Sequence, residues 1–214
     1  MSHRVFLLSP ANCNGTRAKQ VLSPKSQFAV ATALRSPLGA PLGDVFAFVS
    51  GLYFRGKLTY ARRFAVPPDR ENPIVASGVH IITPNAGLRS PETLVTQHAI
   101  REFARGDIDA DNRRYRHPLE TSARALSSEI GPDCDVVLLG SVASPKYVDV
   151  LLGIFGARLQ FPIAFVGRGD MSRGGLLLRH ARDGVELEYV PVAGASVHGK
   201  RPPKLPPMRW AARG

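Results

Sequence analysis

Cysteine is scarce. Cys13 and Cys134 are the only two, which excludes a disulfide framework and points to a reducing compartment. No stretch of about 20 apolar residues runs free of charge or proline, so no membrane-spanning helix is expected. The chain has no H-E-x-x-H, no C-x-x-C, and only six scattered histidines (3, 80, 98, 117, 180 and 198), so no metal site is signalled. The P-loop, the G-x-G-x-x-G fingerprint and the G-x-S-x-G elbow are also missing, and no cofactor is implied. A coiled coil is excluded by 18 prolines and 20 glycines, and a disordered chain by 44% hydrophobic residues. The opening Met1-Ser2-His3-Arg4 runs into the short apolar Val5-Phe6-Leu7-Leu8, too brief for a signal-peptide core, so the expected location is cytoplasmic.

Acid is scarce where base is plentiful. Over 214 residues the net charge is +11, and residues 1–68 hold nine basic residues against one acid, Asp44. Residues 69–150 carry −3 and residues 151–214 carry +6. A basic beginning and a basic end polarise the surface if they meet in space. That favours nucleic acid as the partner, DNA rather than RNA, through phosphate neutralisation and counterion release. An arginine-rich proteome would give the same composition without any such partner. No protein partner is implied.

Four short apolar runs bounded by turn residues read as buried strands of parallel-sheet length: 5–8, 79–82, 136–139 and 163–166. Helical spacing appears around Phe28 to Leu34, Phe54 to Phe64, Leu94 to Phe103, Leu119 to Ile130, Tyr147 to Phe155 and Gly174 to Ala181, with His117-Pro118 as a helix entrance. Glu186 to Val190 alternates polar and apolar and suits an edge strand. Strand followed by helix, repeated, predicts one α/β domain over 1–198, a twisted and mostly parallel sheet with helices on both faces. Residues 199–214 are too rich in proline for a helix or an inner strand, and predict a basic extended C-terminal arm carrying Trp210.

In open α/β sheets ligands bind beyond the carboxyl ends of the strands. The loop after the first run, Ser9 to Arg17, offers the amides of Asn12 and Asn14, though a plain chain reversal looks the same. After the third run, Ser144 and Pro145 suit a helix start. After the fourth, residues 167–175 combine glycines with Arg168 and Arg173 around a single acid, Asp170. That cluster either holds a phosphate and orients a water, or pairs internally as a charged turn. Between residues 50 and 64 basic and aromatic residues interleave. Spacing puts Phe54, Leu58 and Ala61 on one face, with Arg55, Lys57 and Arg62 assigned elsewhere as phosphate contacts. Cys13 has no neighbouring base and reads as packed and inert.

Leu7-Leu8-Ser9-Pro10-Ala11, Phe54-Arg55-Gly56-Lys57 and Ile81-Ile82-Thr83-Pro84-Asn85-Ala86-Gly87-Leu88 together resemble the motif series of the YaaA-type peroxide-stress family. The resemblance implies a DNA-binding protein of the stress-response or repair type. Val136-Val137-Leu138-Leu139-Gly140 followed by a helix and a late loop is more distantly similar to the uracil-DNA-glycosylase layout. That likeness implies an N-glycosidic hydrolase with Asn12 or Asn14 positioning water, although the neighbouring Asp and the His-Pro-Ser loop of those enzymes are missing here. The leading expectation is DNA binding through Arg17, Lys19, Arg55, Lys57, Arg62, Arg168 and Arg173. The alternatives are a base-directed enzyme using Asn12, Asn14 and Asp170, and a small-molecule nucleotide or nucleoside binder using the same loops.

Overall fold

A computed structural model describes residues 2–143, 145–195, 199–200 and 202–205. Six strands, β1 (Arg4–Leu8), β3 (Val79–Thr83), β4 (Gly87–Arg89), β6 (Asp135–Leu139), β7 (Leu159–Pro162) and β8 (Tyr189–Pro191), form one sheet in the order β4-β3-β1-β6-β7-β8. The inner four are parallel, and β4 and β8 close the edges antiparallel. A two-stranded ribbon pairs β2 (Ala40–Pro41) with β5 (Leu94–Val95).

Among the described residues eight helices cover the sheet: α1 (Thr16–Leu22), α2 (Ala29–Arg35), α3 (Leu42–Ser50), α4 (Leu52–Phe64), α5 (Gln97–Arg105), α6 (Arg113–Ile130), α7 (Pro145–Phe155) and α8 (Asp170–Asp183). Alternation along each inner strand builds two separate cores. Phe6, Leu8, Val137 and Leu139 point to the α1–α5 and α8 side, while Val5, Leu7, Val136 and Leu138 point to α6 and α7. Cys13 and Cys134 are buried free thiols in opposite cores. The α/β expectation and the two-faced helix cover hold.

Four local expectations are corrected. The run 163–166 is not a strand: Pro162 ends β7, and Ile163 to Phe165 curl into a 3-10 turn that buries Phe165. Residues 170–175, read as a loop, are the first turns of α8, and the edge strand sits slightly later, at 189–191. Pro118 lies inside α6 rather than at its entrance, because Asn112 supplies the start, its side chain accepting from Arg114 N–H at 3.0 Å. Helices α1 and α3 were missed, although Leu42, Val45, Phe46 and Val49 carry the spacing of a buried stripe. Ser144, Arg201, Arg209 and Trp210 lie outside the described residues. Residues 202–205 lie without regular structure over the start of α8, where Leu205 packs on the core and Arg168 donates to the Pro203 carbonyl at 3.4 Å.

Two features fix the frame on which a site rests. Helices α4 and α8 cross almost in backbone contact: a Cβ at Gly56 would stand 2.7 Å from the Gly174 carbonyl oxygen. At the far end, Tyr60 Oη meets Tyr189 Oη at 2.6 Å and accepts from Leu187 N–H at 2.7 Å, while Glu186 pairs with Arg4.

His80, in β3, is 5% exposed, and its Nε2 has no hydrogen-bond partner among the described residues. Burial pushes its pKa down to about 4, with Glu92 opposing weakly. Its ordinary value is near 6.5, so in acid the unfolded chain takes a proton that the native chain refuses. The stability this neutral imidazole contributes is complete above pH 6.5 and is lost as pH falls toward 4, by about 3 kcal/mol. Urea unfolding of wild type and His80→Phe between pH 7 and 4 checks this: the variant is expected to lack that portion of the acid decline.

Candidate functional site

The chain leaves β1 toward one face of the sheet and β6 toward the other, since α1–α4 and α7 belong to opposite cores. This is the topological switch point, and the two diverging connections leave a crevice beyond the strand ends. A cavity of about 350 Å³ occupies it, with Ser9, Asn12, Tyr53, Lys57, Tyr147 and Asp170 among its walls. The strand ends come together closely enough that a Cβ on Gly140 would stand 2.9 Å from both Ser9 Cβ and Tyr147 Oη. Glycine at 140 is therefore what lets Tyr147 reach the crevice. Its hydroxyl accepts from Ser141 N–H at 3.0 Å and donates to the Ser141 carbonyl at 2.9 Å.

Lys57 is the unusual member. Its side chain is buried on α4, 1% exposed, and Nζ donates to the Ser9 carbonyl at 2.6 Å and to Ser9 Oγ at 2.8 Å. The ammonium faces the rings of Tyr53 and Phe54, at 4.6 and 4.8 Å from their centroids. Among the described residues no carboxylate pairs with it. Burial pushes its pKa down to about 7; the more distant Asp170 acts against that shift and Arg173 adds to it. Tyr53, one helical turn earlier, is 8% exposed, and its hydroxyl has no hydrogen-bond partner among the described residues. Burial raises its pKa, while Arg173 lies near enough to act on it the other way. Tyr147 is likewise raised by burial. The crevice thus collects a buried amine, two buried phenols, a serine hydroxyl and, at its rim, a carboxylate 71% exposed.

The residues expected to grip phosphate are not all free to do so. Arg17 and Arg55 are exposed and line a neighbouring hollow of about 360 Å³ together with Asp44, and Lys19 is exposed on α1. Arg62 is exposed and pairs with Glu92 at 3.1 Å. Arg168 is engaged by the Ala164 carbonyl at 3.1 Å and Ser172 Oγ at 3.2 Å. Arg173 holds its guanidinium 5.3 Å from the centroid of the Phe165 ring and donates to the Phe165 carbonyl, which makes it a strut for the 3-10 turn. Lys57 faces inward, not outward.

Asn12 and Asp170 both line the crevice, so these two expected site residues are brought together. Asn14 is turned away and ties the loop to α5, donating to the Ala104 carbonyl at 2.8 Å. Asn12 Oδ1 accepts from Asn14 N–H at 2.9 Å, which sets the turn. Burial pushes the Cys13 thiol up to about 12, leaving it protonated and unreactive at neutral pH. Ser9, Tyr53 and Tyr147 were missed. Spacing carried a signal for two of them, since Tyr53 and Lys57 stand four apart on one helix and Tyr147 follows directly on the loop after β6. Compared with protein-family models, with curated proteins and with solved structures, the chain matches none.

Proposed function

We propose that this protein binds nucleic acid, DNA in the first instance, and receives a single extruded nucleotide in the crevice between β1 and β6. The observation that carries this reading is the crevice itself: a concave site at the switch point whose walls combine aromatic rings with hydrogen-bonding groups. Enzymes and readers that act on a base take it out of the stack into such a pocket, holding it by stacking and by polar contacts to its edge. The net charge of +11 and the exposed Arg17, Lys19 and Arg55 on α1 and α4 supply the sequence-independent attraction. A free nucleotide is the second reading, favoured by the cavity's volume of about 350 Å³, which lies in the small-molecule range.

Fluorescence anisotropy with labelled single-stranded and duplex oligonucleotides over a salt series tests the first reading. Three or four neutralised phosphates give a duplex affinity that falls roughly 40- to 150-fold between 50 and 200 mM salt. Arg17→Ala and Arg55→Ala are each expected to lower the logarithmic slope by about 0.9. Absence of binding at low salt overturns the reading, and competition by a nucleoside monophosphate alone transfers the site to the second.

A further inference from the structure

We propose that the Lys57 amine is a nucleophile that forms an imine with an aldehyde admitted to the crevice, the substrate class being nucleic acid that carries a base-free, ring-opened deoxyribose. The substrate class rests on the nucleic-acid reading; the nucleophile does not.

The geometry sets Lys57 apart from the five other lysines of the chain. An ammonium buried this deeply ordinarily requires a carboxylate beside it, because an unpaired buried charge is costly. Here its hydrogen-bond partners are the carbonyl and hydroxyl of Ser9, both neutral, and the nearest cavity-lining carboxylate, on Asp170, is not within ion-pair distance. The ring faces of Tyr53 and Phe54 favour the charged form and act against the effect of burial. The outcome is an amine that holds its proton weakly near neutrality, which is what a carbonyl-attacking lysine needs. Both amine partners sit on Ser9, at the carboxyl end of the central strand, so the nitrogen is fixed at the wall of the crevice rather than at the end of a mobile stem.

A second, independent feature lies in the same cavity. The Tyr53 hydroxyl is more than nine-tenths buried, is without a hydrogen-bond partner among the described residues, and belongs to the residue whose ring underlies the amine. A buried orphan donor calls for an acceptor, and a substrate carbonyl oxygen meets that need. As the nitrogen lone pair forms the C–N bond, the carbonyl π pair moves to oxygen, and the phenol is placed to donate to it. A proton then passes from nitrogen to that oxygen, giving the carbinolamine. Loss of the hydroxyl with one further proton releases water and leaves C=N. One aldehyde and one amine give one imine and one water, with no oxidant or reductant, and hydrolysis reverses the step. The ring-opened C1′ of a deoxyribose that has lost its base is the aldehyde a nucleic acid offers.

Reduction with cyanoborohydride in the presence of the full-length protein tests this with two probes, an oligonucleotide carrying one abasic site and propionaldehyde. The reduced adducts are located by peptide mass. The expected result is a covalent protein–DNA species at Lys57 and preferential propylation of Lys57 over the other five lysines at pH 7. Lys57→Met, matched to wild type by thermal unfolding, is expected to lose the DNA adduct at least 50-fold. Tyr53→Phe keeps the amine and is expected to slow adduct formation roughly tenfold without lowering Tm. Absence of label at Lys57 with both probes overturns the nucleophile, whether or not the anisotropy assay finds DNA binding. Labelling by propionaldehyde without any DNA adduct overturns the nucleic-acid substrate and leaves the nucleophile standing.

Discussion

Raising the pH from 7 to 9 is expected to stabilise the wild-type protein by about 2 kcal/mol relative to Lys57→Met. The sign follows from the two states of the amine. In the unfolded chain Lys57 holds its proton up to about pH 10.5, whereas burial releases it in the native state near 7. Within that window the unfolded state binds more protons, so stability rises with pH; below 7 both states are charged and the full penalty of the buried ammonium is present. Across the whole window the gain reaches about 5 kcal/mol, an upper figure because the ring faces of Tyr53 and Phe54 help the charged form. The charged and titratable groups around the amine are Tyr53 on α4, Lys146 and Tyr147 on α7, and Asp170 and Arg173 on α8. The measurement belongs below pH 9 because other buried groups then act in the opposite sense. Burial raises the thiols of Cys13 and Cys134 and the phenols of Tyr53, Tyr60, Tyr115, Tyr147 and Tyr189, so the native state retains those protons as the unfolded chain loses them. Urea midpoints taken in half-unit steps for both proteins isolate the lysine. Parallel profiles would mean that the native amine keeps an ordinary proton affinity, and would remove the electrostatic support for its chemistry.

How Lys57 is placed also tells how far the sequence could be followed. The α4 stripe of Phe54, Leu58 and Ala61 was legible, but position 57 lies three residues after the first and four before the last, on the same face. Grouping the lysine with the outward cations followed its charge rather than its spacing, and spacing decides. A similar competition explains β7. The apolar run 163–166 looks more like a strand than Leu159-Gln160-Phe161-Pro162 does, yet pairing with β6 and β8 selects the earlier segment, and Pro162 cannot continue the ladder. Apolar character in the later run serves the burial of Phe165, not extension. The strands β1, β3 and β6 and the crevice beyond β1 were readable because buried parallel strands are short apolar blocks whose carboxyl ends are marked by small residues. What single-chain spacing does not carry is the meeting of elements far apart in sequence. Residues 9, 57, 147 and 170 converge through a close helix crossing and a close strand-end approach, and each depends on the absence of a side chain at a glycine.

Gly174→Val is the substitution expected to break that convergence most directly. A Cβ at Gly174 would stand 2.8 Å from Tyr53 Cα, 2.9 Å from the Leu52 carbonyl oxygen and 3.0 Å from the Leu52 carbonyl carbon. All three are backbone atoms of α4, so no side-chain rotation relieves the clash, and the two helices must separate. Overpacking costs about 1–3 kcal/mol where neighbours can adjust; with rigid backbone on one side and a branched side chain on the other, about 4 kcal/mol is expected here. The consequence reaches the site because α4 carries Tyr53 and Lys57 while α8 carries Asp170, and both helices border the crevice. Aldehyde labelling of Lys57 should therefore fall together with stability, and become less selective as the amine gains access to water and recovers its proton. Gly175→Ala is the control on the adjoining residue. Among the described residues its Cβ would meet only Leu205 Cδ1, at 3.7 Å, an ordinary contact. Replacing a helical glycine by alanine without a clash is worth about 1 kcal/mol of helix propensity. The neighbouring variants are thus expected to move the urea midpoint in opposite directions, and a Gly174→Val protein as stable as Gly175→Ala would show that the crossing of α4 and α8 is looser than the site requires.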